Sequence, residues 1–155
     1  MFGSRSVVSD RDKAKDLCGS GLDSGEGKSC QLEVNSVHLK FAWAQQVISQ
    51  PLINLLTEPA DLIILNVGSY YVFNPSYELS EVLDRVSAEA AELLDAINNS
   101  SNQRIIFRTA TRLCDPDLGM RDLPTAAINA VLNGVNEKVV KILSASSKVC
   151  ILKNI

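Results

Sequence analysis

The residues best suited to chemistry in this chain lie in one run, Asn66-Val67-Gly68-Ser69-Tyr70-Tyr71. A side-chain amide, a glycine amide, a hydroxyl and neighbouring phenols follow one another closely. Tyrosine rings stack on sugar faces. The run is introduced by Asp61-Leu62-Ile63-Ile64-Leu65, an apolar stretch without polar alternation. Such a stretch predicts a parallel strand with helices covering both of its faces. Gly68 at the carboxyl end permits a sharp turn or the close approach of a ligand. In open parallel sheets, ligands sit just outside the carboxyl ends of the strands. Asn66, Gly68, Ser69, Tyr70 and Tyr71 are therefore the candidate ligand-binding residues.

Other chemistry-bearing residues point less far. His38 is the one histidine of the chain, so any Ser-His arrangement would have to use it. It lies in an alternating stretch, Val37-His38-Leu39-Lys40, where a packed or solvent-side role is expected. Gly27-Lys28-Ser29 ends like a phosphate-binding loop, but five residues separate Gly21 from Gly27 where that motif needs four. No strand precedes it, so a polar loop is expected instead. Cys18, Cys30, Cys114 and Cys150 form no Cys-x-x-Cys pair, and with a lone histidine no zinc site is expected. Cys18 and Cys30 are close enough in sequence for a disulfide, while Cys114 and Cys150 read equally well as small buried hydrophobes. Asn98 and Asn99 each begin a glycosylation acceptor pattern that also reads as a turn. No cofactor and no metal site are expected.

Composition bounds the remaining classes. At 155 residues, with 46% hydrophobic and 21% charged residues, the chain has the make-up of one globular domain. A formal net charge of −3 without a basic cluster argues against nucleic acid as a partner. Trp43 beside Phe41 accordingly reads as packing, not as a base-stacking platform. No apolar run is long enough to span a bilayer. The opening Met1-Phe2-Gly3-Ser4-Arg5-Ser6 also lacks the apolar centre of a secretory signal. Neither observation assigns a compartment.

The elements that must position the candidate residues follow from periodicity. Residues 1–35, rich in glycine, serine and charge, predict an irregular polar arm. From 36 to 155 the pattern is regular. A strand is predicted over 37–43, a helix over 47–56 with Pro51 delimiting or kinking it, and a strand over 61–67. A long helix begins near Pro75, with Leu79, Val82, Leu83, Val86, Ala90, Leu93, Leu94 and Ile97 as its stripe. Asn98 to Asn102 ends it with turn formers. A strand over 104–109 and a loop over 114–122 come next. Pro124 opens a further helix, carrying Ala127, Ile128, Val131, Leu132, Val135, Val139 and Leu143. A last strand is predicted over 148–152. This order, β-α-β-α-β-α-β, predicts an α/β fold with a parallel sheet and right-handed crossovers.

Three blocks resemble the SGNH/GDSL hydrolase superfamily, in particular its PC-esterase branch of trichome-birefringence-like and sialate O-acetyltransferase-like enzymes. They are Val37-His38-Leu39-Lys40-Phe41-Ala42-Trp43-Ala44, then Asp61 to Tyr71, then Ile105-Ile106-Phe107-Arg108-Thr109-Ala110-Thr111. The resemblance covers about residues 36–145. It implies a three-layer, flavodoxin-like parallel sheet and a carbohydrate or acyl-ester ligand. It also implies that the Gly68 amide, with Asn66 nearby, is the oxyanion donor. Tyr70 stands where the commoner form of the superfamily has an asparagine.

The departures are as informative. Such enzymes need a serine in a Gly-Asp-Ser turn and a late Asp-x-x-His pair. Gly-Asp-Ser is absent, with Gly3-Ser4 and Leu22-Asp23-Ser24 the nearest approaches, and no Asp-x-x-His follows the last predicted strand. No catalytic residue is therefore assigned. The strand that would carry the serine is central in the family, between those matching 37–43 and 61–67. Its loss is expected to leave unpaired edges open to self-association, or to force a new pairing. Two readings result: a fragment or degenerate, inactive member of an esterase or O-acetyltransferase lineage, or a non-catalytic α/β module binding a sugar or a protein. The resembled family is often Golgi or secretory.

Overall fold

The computed structural model describes residues 29–34, 37–42, 46–67, 71, 78–102, 104–111 and 125–153. Two helices dominate because their apolar residues recur on one stripe. In α2 (Leu79–Asn99) the stripe buries Val82, Val86, Ala90, Leu93 and Ile97. In α3 (Thr125–Leu143) it buries Ile128, Leu132, Val135, Val139 and Leu143. The helices pack side by side. A Cβ on Gly134 of α3 would stand 3.1 Å from Leu83 Cδ2 of α2, so glycine lets the two approach closely there. The shorter α1 (Gln50–Thr57) adds Leu52 and Leu56 to the same core. Pro51 sits in its first turn, where the missing amide hydrogen costs nothing, and so delimits the helix without kinking it.

Beneath α2 and α3 lies a three-stranded parallel sheet in the order β3 (Ile63–Leu65), β4 (Ile105–Arg108), β5 (Val149–Leu152). Ile63 pairs with Ile105, which pairs in turn with Val149; Leu65, Phe107 and Ile151 form the next such row. Ile63, Leu65, Ile105 and Phe107 are buried against the helices, with Phe107 fully enclosed. The ladder continues past the strands through Thr109 N to Leu152 O at 3.1 Å. The α/β class and the parallel sheet thus agree with the sequence.

Three expectations need correction. First, helices were expected on both faces of the 61–67 strand. Instead Ile63, Leu65 and Val67 are buried while Ile64 is 62% and Leu62 48% exposed. The reason is topological. Strand order advances in one direction from β3 to β5, and right-handed crossovers then place α2 and α3 on the same face.

Second, the 37–43 strand is not part of the parallel sheet. It appears as β2 (Val37–Ala42), paired antiparallel with β1 (Ser29–Val34) in a separate hairpin, Ser29 opposite Ala42 and Val34 opposite Val37. The expected polar arm therefore ends in a strand, and residues 1–28 lie outside the described residues. Only Asn35-Ser36 separates β1 from β2, so their pairing closes a short loop, whereas pairing with β3 closes a long one. Third, Cys150 is exposed on β5 and has a free thiol. Cys18 and Cys114 lie outside the described residues.

Side chains remote in sequence tie these elements together. Asn102, 3% exposed, donates from Nδ2 to Leu56 O (2.8 Å) and Glu58 O (3.0 Å), and its Oδ1 accepts from Ala60 N (2.8 Å). It thereby satisfies carbonyls that the end of α1 leaves open. No basic residue occupies the last turn of α2, but Lys148 reaches it from just before β5. Its Nζ donates to Ile97 O, Asn98 O and Ser100 O, the last at 2.7 Å. An ion pair between Lys40 of β2 and Glu58 joins the hairpin to the body.

Candidate functional site

Asn66 follows β3 directly and is exposed at the carboxyl edge of the sheet. Leu65 pairs with Phe107, so Asn66 lies at the register position of Arg108, which is also exposed. Gly68, Ser69 and Tyr70 lie outside the described residues, so the expected oxyanion amide of Gly68 has no geometry to report. Val67 is buried and anchors the backbone between β3 and the candidate run.

Tyr71 is placed in the core, 2% exposed. Its hydroxyl donates to Glu89 Oε2 of α2. The Val47 amide donates to the same carboxylate oxygen at 3.1 Å and to the Tyr71 oxygen at 3.3 Å. Arg85, one helical turn before Glu89, donates from Nε to Oε1 at 2.7 Å. Its guanidinium carbon stands 5.9 Å from the Tyr71 ring centroid, within cation–π range. Burial raises the Tyr71 pKa well above the ordinary phenol value, and the bond to Glu89 adds to that. The Val47 amide and the Arg85 charge act in the opposite sense. Tyr71 thus remains a neutral phenol across the physiological range.

This cluster joins three segments: the chain before α1, the end of the β3 run, and the middle of α2. Both Glu89 oxygens accept hydrogen bonds, so the carboxylate is engaged as a clasp. The stacking role expected of Tyr71 is not the one its position provides, because its ring is enclosed by protein. Sequence reasoning missed Glu89 and Arg85, although their i, i+4 spacing on a predicted helix was a readable signal.

A second clasp forms where β4 ends. Asn136 of α3 accepts from Ala110 N at 2.9 Å and donates to Ala110 O at 3.1 Å. Its amide thus meets the backbone much as a neighbouring strand would. The Phe107-Arg108-Thr109-Ala110 block is held in line beside the edge that carries Asn66. Asn136 carried no sequence signal as a positioning residue, since its partner is brought to it only by packing.

Other candidates settle as follows. His38 stands opposite Glu33 in the hairpin register. Ser49 Oγ is buried without a hydrogen-bond partner and does not cap α1. Among the described residues, no group of three or more His, Cys, Asp or Glu is arranged to hold a metal ion. Among them also, no helix is long and apolar enough to cross a membrane. No protein-family model, curated protein or solved structure matches the chain.

Proposed function

We propose that this chain is a catalytically silent α/β module, similar in kind to SGNH/PC-esterases, that works by binding a protein partner through its parallel sheet. One observation carries the reading. Helices seal one face of the sheet, while the other presents Leu62 (48%), Ile64 (62%) and Leu152 (53%) to solvent. Parallel sheets ordinarily bury both faces, and a contiguous apolar surface of this kind marks an interaction site. Catalytic silence of this domain is supported by its lacking a Gly-Asp-Ser turn, Leu22-Asp23-Ser24 being the nearest approach beside Gly3-Ser4. It is further supported by the engagement of Tyr71, Glu89 and Asn136 in holding elements together. The flavodoxin-like arrangement belongs to the same proposal, supported by the parallel order β3-β4-β5 among the described residues.

A second reading is favoured by Asn66. An exposed amide at the carboxyl edge, level with Arg108, suits a carbohydrate or acyl-ester ligand. Hydrolysis of p-nitrophenyl acetate tests the catalytic half of the proposal. No turnover above the background rate is expected. Turnover abolished by a serine-directed phosphonate would overturn silence, and Ser4 and Ser24 would be the first serines to replace by alanine. The binding half is read from the fluorescence of anilinonaphthalene sulfonate, which brightens on exposed apolar surface. The folded chain should enhance it, and Ile64→Lys should remove most of the enhancement.

A further inference from the structure

Two overlapping acceptor patterns for an N-linked glycan, Asn98-Asn99-Ser100 and Asn99-Ser100-Ser101, converge on one place in the fold. A third Asn-x-Ser, Asn74-Pro75-Ser76, is barred by its proline. The pair lies where α2 ends. Asn98 and Asn99 belong to its last turn and both are exposed, as is Ser101 just beyond it. Both patterns therefore stand on the surface, where a bulky, hydrated modification can be carried.

The two asparagines differ in what already holds them. Asn98 is engaged: its Oδ1 accepts from Ser146 Oγ at 2.8 Å, and its carbonyl accepts from Lys148 Nζ at 3.0 Å. Ser100, the hydroxyl residue of the same pattern, donates from Oγ to Ile97 O at 2.8 Å. The Asn99 side chain, by contrast, has no hydrogen-bond partner among the described residues. Its pattern also leaves the helix at once. Ser100 has extended backbone, with φ −72° and ψ 154°, so only Asn99 itself is helical, whereas the pattern on Asn98 includes two helical residues. Helix ends fray, so the Asn99 pattern is the one that opens most readily into free chain.

Topology sets that end of α2 apart from the candidate ligand residues. Lys148 lies just before β5 and caps α2, so the end of the helix sits at the amino ends of the strands. Asn66 stands at their carboxyl edge. Because α2 packs on the covered face of the sheet, a glycan at its end leaves both that edge and the open face clear.

We propose that Asn99 is the acceptor of an N-linked glycan, a modification site independent of the binding reading above. The donor is an oligosaccharide carried on a lipid diphosphate, and the transferase is the cell's own. Asn99 Nδ2 forms a bond to C1 of the first sugar, and the bond from C1 to the diphosphate oxygen breaks. The lipid diphosphate leaves, and the amide nitrogen gives up one proton. The site carries a compartment with it, since such acceptors are used in chains that enter the secretory route.

The test takes the full chain from the cells that make it and treats it with the amidase that removes N-linked glycans, in heavy-oxygen water. That enzyme turns the acceptor asparagine into an aspartate bearing a solvent oxygen, which labels the position. The intact mass should fall on treatment, and the label should map to Asn99 in the tryptic peptide Val86–Arg104. Asn99→Gln should abolish the amidase-sensitive mass, while Ser101→Thr should keep it. Because Asn99 is exposed, Asn99→Gln should unfold at the same temperature as the amidase-treated natural chain. An intact mass that the amidase leaves unchanged overturns the inference, and so does a label that maps to Asn98.

Discussion

At the residue scale, the polar side chains that matter most in this protein act as brackets. Asn102 holds Leu56 O, Glu58 O and Ala60 N from a nearly solvent-free position. Asn102→Ala leaves those groups without their partner, and burying unpaired backbone groups is expensive. A loss of about 2–4 kcal/mol is expected in urea unfolding. Tyr71 offers a prediction with a pH signature. Tyr71→Phe keeps the buried ring but removes the bond to Glu89, which retains the Val47 and Arg85 donors. The expected cost near neutral pH is about 1–2 kcal/mol. Folding raises the Tyr71 pKa above its unfolded value. The associated stability is therefore complete below about pH 10, the unfolded phenol value, and declines as pH rises beyond it. Melting temperatures between pH 8 and 11 should converge for the two proteins at the alkaline end. A constant gap across that range would exclude the clasp as drawn.

At the element scale, the end of α2 is unusual in drawing its cation from another part of the chain. Lys148 donates to Ile97 O, Asn98 O and Ser100 O, which opposes the negative end of the helix dipole and satisfies open carbonyls at once. Lys148→Met preserves the aliphatic stem and should cost about 1–2 kcal/mol in thermal unfolding. Lys148→Arg should recover part of that loss. An effect below experimental error for methionine would mean that water caps the helix equally well. Within the same helix pair, Gly134 shows how one small residue sets the approach of α2 and α3, since Leu83 occupies the space a side chain would take.

At the scale of the whole molecule, the parallel sheet with its helices and the β1–β2 hairpin are unequal partners. The sheet is backed by α2, α3 and a continuous core from Val47 to Leu143. The hairpin has two strands, which are marginal alone, and meets the body through β2, where Lys40 pairs with Glu58. Hydrogen exchange should therefore occur in two stages. Amides of β1 and β2 should exchange first by local opening, while those of β4 and the centre of α2 await global unfolding. Uniform protection across hairpin and sheet would mean that they unfold as one unit.

Much of the architecture was legible in the sequence because helices and strands obey short periods. The stripes of α2 and α3 and Pro51 at the head of α1 were readable from neighbours within a few residues, and so was the end of α2, although Asn98 and Asn99, expected in the turn, belong to its last turn of helix. Strand β1 was also written there, in the alternation Cys30-Gln31-Leu32-Glu33-Val34, but glycine-rich surroundings hid it. The candidate site was half legible. The run after β3 was marked correctly as the end of a parallel strand, and Asn66 is exposed there. That Tyr71 turns inward to Glu89 was decided by tertiary structure, as was the meeting of Asn136 with Ala110. The exposure of Ile64 belongs with them: an isoleucine in an apolar run carries no label saying which side a helix will cover. Local pattern determines what each segment becomes. Which strand it pairs with, which face stays open and which distant polar group completes its hydrogen bonds depend on contacts between residues far apart in the chain, and only packing brings those together.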